Sequence, residues 1–243
     1  MIFRKLKILS SLFLLTLLCL AFTQRHVIAC VTIAYSNYNE ITPNLYVDSL
    51  FSYEDSMEIA QIVEEARERV ITKYGETTSS PVIIVSSNDE TSRKYIKLTS
   101  IDGRPVPGTT YNMPWREYIL LSPEGNNVDV MSHELVHAEI FHRLGYIKSR
   151  KLPIWFNEGV ALQVDNRKGK VWSYIQEERK LPLVSSLESA SQFFSGDRAL
   201  HYAAAKVKVS AWLASDHNID LYKFLDEIKN GKNFHDLYEN YEN

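Results

Sequence analysis

The five residues His133-Glu134-Leu135-Val136-His137 constrain this chain more than any other stretch. Two histidines four apart share a side only on a helix, where that offset is one full turn plus about 40°. Asn127 can cap the start of such a helix and Gly145 can end it, so the sequence predicts a helix over 127–144. His133 and His137 then aim one imidazole nitrogen each at a common point. Glu134 lies roughly 100° round from His133, near enough to reach a water on a shared ion without itself binding that ion. Two neutral imidazoles for zinc and one carboxylate for a proton are what metal-assisted hydrolysis needs.

A pattern this short can arise by chance, and a third ligand decides the matter, because catalytic zinc typically takes three protein ligands and keeps one position open. A histidine six residues after His137, with a glycine at three, is excluded by Arg143 and Ile140. His142 sits about 140° off the His137 face and reads as a surface or structural histidine, and Glu139 points away by about 200°. That leaves Glu158, 21 residues beyond His137 in Leu152-Pro153-Ile154-Trp155-Phe156-Asn157-Glu158-Gly159-Val160-Ala161. A turn at Gly145, a short connector and a second helix can return it over the first at that separation.

Around these segments the chain reads as α+β, with a small mixed or antiparallel sheet followed by a mainly helical region. Short strands are expected near 45–47, at 81–85 as an apolar run bounded by turn residues, and at 117–122, closed by Pro123-Glu124-Gly125. Residues 54–74 place Met57, Ile59, Ala60, Ile62, Val63, Ala66, Val70 and Ile71 largely on one helical stripe, with Gly75 at the end. Glu64 and Glu68 with Arg67 and Arg69 read as its solvated face. Residues 99–115, with Gly103, Pro105, Pro107, Gly108 and Pro114, read as loop. Further helices are expected near 155–165, 170–179, 187–195, 199–215 and 219–230, with Trp155 and Trp212 as core or cleft-wall residues. Of 243 residues, 45% are hydrophobic and 12% aromatic, enough for a substantial core. The formal net charge of -3 supplies no basic footprint for nucleic acid.

The N-terminus is not expected to belong to the fold. Arg4, Lys5 and Lys7 precede a run without charge over residues 8–22, shorter than the roughly 20 residues that span a bilayer comfortably. Residues 1–29 therefore read as a signal peptide or an N-terminal membrane anchor, and 30–243 as one domain outside the cytoplasm, secreted, periplasmic or anchored. Val27-Ile28-Ala29-Cys30 also resembles a lipoprotein processing box, although Arg25 and His26 separate it from the apolar run. The cysteines, Cys19 and Cys30, leave at most one thiol in a processed chain, which excludes an internal disulfide and a cysteine-built zinc site.

The helix-borne His-Glu-Leu-Val-His and the later Pro-Ile-Trp-Phe-Asn-Glu-Gly-Val-Ala together resemble the gluzincin metallopeptidases of the thermolysin-like superfamily, in particular its small peptidase MA-like domains. The resemblance covers roughly 81–230. It implies a zincin-type domain with one Zn2+ per chain, held by His133, His137 and Glu158, and with Glu134 as general base. It also implies a tyrosine on a later helix that donates to the oxyanion, for which Tyr202 is the best match and His201 the lesser one. The strand before the motif helix, Tyr118 to Ser122, would form the cleft edge and pair with an extended peptide or protein substrate. Two departures matter. Gly108-Thr109-Thr110-Tyr111-Asn112 stands where the aminopeptidases of the group carry an amine-binding glutamate and has none, which favours an endopeptidase. Leu162 stands where thermolysin-type enzymes have an aspartate that orients a histidine, leaving Asp165 or Asn157 for that task. The rival expectations are a non-proteolytic zinc-containing module that binds a peptide or cell-envelope fragment, and an anchored assembly protein for which the helix is scaffold.

Overall fold

The computed structural model describes residues 23–100, 102–177, 180–215 and 219–242. The basic stretch and apolar run of the N-terminus lie outside them, and no helix among the described residues is long and apolar enough to cross a membrane. The fold is α+β. Strands β1 (Tyr38–Thr42), β2 (Leu45–Asp48), β3 (Val82–Val85), β4 (Gly108–Asn112) and β5 (Glu117–Leu121) form one mixed sheet in the order β1-β2-β3-β5-β4. The hairpins β1–β2 and β4–β5 are antiparallel; β2–β3 and β3–β5 are parallel.

β3 and β5 are buried along their whole length, which is why β3, and β5 after Glu117, read as apolar runs without alternation. One face of the sheet, with Ile83, Val85, Ile119 and Leu121, joins the main core. The other, with Val82, Ile84, Tyr118 and Leu120, packs a smaller core with Cys30, Ile33, Tyr95 and Ile96. The helices α1 (Arg25–Val31) and α3 (Asp89–Tyr95) cover that second face. The folded unit thus begins at or before Arg25: the His26 Nδ1 lies 3.1 Å from the Lys94 carbonyl, and Cys30 is 1% exposed. Burial pushes the Cys30 thiol up to about 12, so it behaves as a core group.

Helix α2 (Tyr53–Tyr74) starts on a capping box, with the Asp55 amide donating to Ser52 Oγ and the Ser52 amide to Asp55 Oδ2. Its buried stripe is Ile59, Ala60, Val63, Ala66 and Val70, while Met57, expected on it, is exposed. Arg69 leaves the expected solvated face and reaches Asp129, 2.5 Å away at the start of the next long helix. That helix, α4 (Val128–Ser149), is capped by Asn127, whose side chain accepts from the Val130 amide. It runs between α2, the β4–β5 hairpin and the later helices, and every residue from Val130 to Ile140 is buried. Gly145, expected as its end, instead bends it: at φ 73° the backbone turns out of helix for one residue and helix resumes to Ser149.

The remaining helices are α5 (Ile154–Ala161), α6 (Lys170–Gln176), α7 (Ala190–Phe193), α8 (Arg198–Leu213), α9 (Leu221–Lys229) and α10 (Phe234–Glu242). Trp155, Phe156, Trp212, Phe224, Phe234 and Tyr238 form their shared aromatic core, with Trp212 and Tyr238 stacked at 5.3 Å. Both tryptophans expected in the core are there. Gly159 sets the contact between α5 and α8: a Cβ on it would lie 2.5 Å from Val209 Cγ2 and 2.6 Å from the Ala205 carbonyl oxygen. Only glycine allows this approach.

Because α1 completes the second core, the start of the chain affects stability. A chain beginning at residue 25 should keep the full unfolding temperature, whereas one beginning at residue 30 should lose ~2 kcal/mol from one hydrogen bond and the apolar area beneath the helix. For a domain of this size that lowers Tm by roughly 4–8 °C. Equal melting curves for the two truncations would show that α1 contributes nothing.

Candidate metal centre

The helical period does to His133 and His137 what their spacing demands. Their Nε2 atoms point at each other across 3.1 Å, one turn apart on α4. Helix α5 then delivers Glu158, whose Oε2 lies 3.4 Å from the His133 Nε2 and 3.6 Å from the His137 Nε2. Among the described residues this is the group with metal-ligand chemistry, its ligand atoms all within 4.8 Å of one another. Ligands about 2.0–2.1 Å from a tetrahedral ion stand ~3.4 Å apart, which is the spacing found.

The outer nitrogens of the rings test the fit. His137 Nδ1 sits 3.2 Å from Asn157 Oδ1, so an N–H there leaves the Nε2 lone pair facing inward. His133 Nδ1 is buried without a hydrogen-bond partner, and its nearest acid oxygen is Asp165 Oδ2 at 3.6 Å. Two inward lone pairs at 3.1 Å repel unless a proton or a cation lies between them. The donor set therefore fits a zinc ion, with Asn157 beside the outer nitrogen of His137 and Asp165 facing that of His133 at 3.6 Å. Asp165 is itself fixed by Arg167, whose Nη2 donates across 2.5 Å and whose Nε across 2.9 Å, and by burial at 4% exposure.

Without a metal the same groups trade a proton. Burial works against a charged His137, but the Glu158 carboxylate overrides it and raises the imidazole to about 9. Burial likewise opposes a charged Glu158, and the two histidines hold it well below the ordinary carboxylate range all the same. Burial, then the charges of Glu158 and Glu134, push the Tyr202 phenol well above its ordinary value, so it stays a proton donor.

Glu134 is 6% exposed on the flank of α4 beside β4. Thr110 Oγ1 donates to its carboxylate Oε2 at 2.7 Å and lies 3.1 Å from its main-chain oxygen. Two residues earlier, a Cβ on Gly108 would lie 2.7 Å from Val130 Cγ1 and 2.9 Å from Glu134 Cγ. The strand thus lies directly against the helix that carries Glu134. This corrects two expectations. Residues 108–112 are strand rather than loop, and β5 is an interior strand, so Tyr118 to Ser122 cannot be the cleft edge. The edge is β4, which pairs with β5 alone among the described strands.

A cavity of about 640 Å³ opens over the three ligands, walled in part by Gly108, Thr110, Phe141, Trp172 and Tyr202. Tyr202 packs edge-on against Phe193 with ring centres 5.0 Å apart and borders the cavity; His201 is instead turned to the Phe193 carbonyl at 2.7 Å. Glu139, as expected, faces elsewhere: it accepts from the Thr78 and Ser79 amides and pairs with Arg143 at 2.6 Å. His142 sits 3.7 Å from Glu117, away from the ligands. Thr110, Gly108 and Arg167 belong to the site and are not among the residues anticipated from sequence. Comparisons with protein-family profiles, curated proteins and solved structures find no match.

The proton held by His137 and Glu158 gives the metal-free chain a defined pH response. His137, raised from 6.5, contributes stability that is full below pH 6.5 and lost as pH rises through about 9. Glu158, lowered from 4.5, contributes stability above pH 4.5 that is lost as pH falls through its depressed value. In metal-free protein the Tm gap between wild type and Glu158→Gln should therefore be widest between pH 4.5 and 6.5 and close above pH 9. A gap that does not change with pH would dissolve the pairing.

Proposed function

We propose that this chain is a zinc-dependent peptidase, an endopeptidase of gluzincin type acting outside the cytoplasm. The observation that carries the reading is the meeting of His133, His137 and Glu158 within 4.8 Å at the floor of a cavity that Glu134 and Tyr202 also line. A bound zinc ion would polarise a carbonyl oxygen and acidify a water, the chemistry that three such ligands and an open position supply. Metal binding alone has no use for the Glu134 carboxylate, and its presence beside the triad favours hydrolysis over a binding module.

The chain's own residues have the following tasks. Thr110 holds one oxygen of Glu134, which leaves the other to take a proton from the attacking water and pass it to the leaving amide nitrogen. Tyr202, kept protonated, donates to the oxygen that gains charge as the carbonyl is attacked. Asn157 accepts at the outer nitrogen of His137, and Asp165 puts its carboxylate 3.6 Å from the outer nitrogen of His133. The unpaired edge of β4 offers main-chain groups to an extended peptide, which would bring its carbonyl over the ligands. Tyr111, at the place of the aminopeptidase glutamate, donates its hydroxyl to the Tyr95 carbonyl, which supports an endopeptidase.

Glu134→Gln is the direct test. The amide keeps the size of the side chain but cannot accept a proton, so zinc content should stay near one per chain while hydrolysis of unfolded proteins falls by about 10²- to 10⁴-fold. Activity that survives the substitution overturns the mechanism. Zinc retained in a wild type that cleaves nothing transfers support to the zinc-containing binding module, and a wild type without zinc returns α4 to scaffold.

Tyr202→Phe separates a donor from a packing residue. The ring still fills its place against Phe193, so fold and zinc content should persist while kcat drops by roughly 10- to 1000-fold. An unchanged kcat assigns Tyr202 to the cleft wall.

A further inference from the structure

Arg198, Tyr202 and Lys206 follow at four-residue intervals along α8, so one face of that helix brings all three to the cavity. Arg167 reaches the same cavity from the segment that joins α5 to α6, and Lys170 from the first residue of α6. A chain whose net charge is -3 thus gathers four cations around one cleft. Three of them are occupied. Arg167 is paired with Asp165 at 2.5 Å, and Lys170 with Asp197 at 3.2 Å. Lys206 Nζ donates to the carbonyls of Leu162 and Asp165 at 2.7 and 2.8 Å, tying down the segment that follows α5.

Arg198 differs from the other three. Among the described residues no carboxylate pairs with it; its Nε donates to the Phe194 carbonyl at 3.0 Å. That bond fixes the plane of the guanidinium and leaves both terminal nitrogens to donate, the fork that grips a carboxylate bidentately. Phe194 and Trp172, 37% and 43% exposed, add apolar surface to the wall of the same cavity. The four cations are balanced by Glu134, Glu158, Asp165 and Asp197, so a divalent ion at the triad would leave the cleft net positive. Arg198 stands one helical turn, about 6 Å, from Tyr202, which is roughly two residues of extended peptide.

We propose that the cleft selects peptides with a carboxylate within about two residues of the scissile bond, and that Arg198 binds it. The inference rests on the peptidase reading and names the substrate class for that site.

Binding rather than turnover tests it. Zinc-loaded Glu134→Gln protein is titrated, by fluorescence anisotropy, against labelled peptides of one sequence in which Glu, Gln or Lys is scanned through each position. Each peptide is made as the C-terminal acid and as the amide, which separates a side-chain carboxylate from a terminal one. The acidic form should bind about three- to fivefold more tightly than its neutral counterpart, the size an exposed ion pair supports. The preference should fade at high salt, vanish in Arg198→Ala and turn towards Lys in Arg198→Glu. Equal binding of Glu, Gln and Lys peptides, alongside hydrolysis by the wild type, overturns this inference and leaves the peptidase standing. A wild type that neither binds nor cuts any of them overturns both.

Discussion

Two buried imidazoles whose inner nitrogens lie 3.1 Å apart are the constraint on which the rest of the site depends. Such a pair is unstable without positive charge between its lone pairs, and the neighbouring groups all bear on that charge. Successive residues of α5 serve both ends of one ring: Asn157 takes the outer nitrogen of His137 and Glu158 faces the inner one. The segment after α5 brings Asp165, which Arg167 holds in place, to within 3.6 Å of the outer nitrogen of His133, and Glu158 faces the inner one. A single stretch, residues 157–167, therefore wraps the two histidines. This explains why a motif of five residues is built into a helix buried on all sides over its middle turns.

That burial is possible because two glycines let neighbouring elements come close. Gly159 allows α5 to press on α8, and the same contact brings Glu158 and Tyr202 to one cavity. Gly108 allows β4 to press on α4 at Glu134. An alanine at either place would meet atoms at 2.9 Å or less, so the cleft would have to widen by several tenths of an ångström. The site is thus held from both sides by close packing at two glycines, and the side chains of Arg167 and Lys206 fix the segment after α5, a stiff arrangement for groups that must keep hydrogen-bond distances.

How far the sequence disclosed this depends on the range of the interaction. Features set within one or two helical turns were legible: the Asn127 cap, the shared face of His133 and His137, the turning of Glu139 away from that face. Glu158 was legible because a second local pattern marks it. Sheet order was not, because it depends on pairings between strands far apart in the chain. An apolar run such as 117–121 reads the same whether its strand lies inside the sheet or at its edge. The edge strand itself was hidden by composition, since Thr109, Thr110 and Tyr111 favour strand but stand among prolines and glycines that suggest loop. Arg69 reads as a surface charge because nothing local announces its partner 60 residues away. The last helix, α10, was passed over although Phe234, Leu237, Tyr238 and Tyr241 repeat at helical spacing, so there the signal was present.

The edge strand also changes how the site works as a whole. Had β5 been the edge, the strand available to a substrate and the residue holding the base would belong to different elements. With β4 as the edge, Thr110 carries the main-chain groups of that edge and also the hydroxyl bonded to Glu134. Its hydroxyl lies within 3.1 Å of the Glu134 main-chain oxygen as well, so the strand is tied to both the backbone and the carboxylate of one residue. Any displacement of β4 moves the Glu134 carboxylate with it. In the proposed reaction, the binding of an extended peptide and the placement of the base are then one mechanical event.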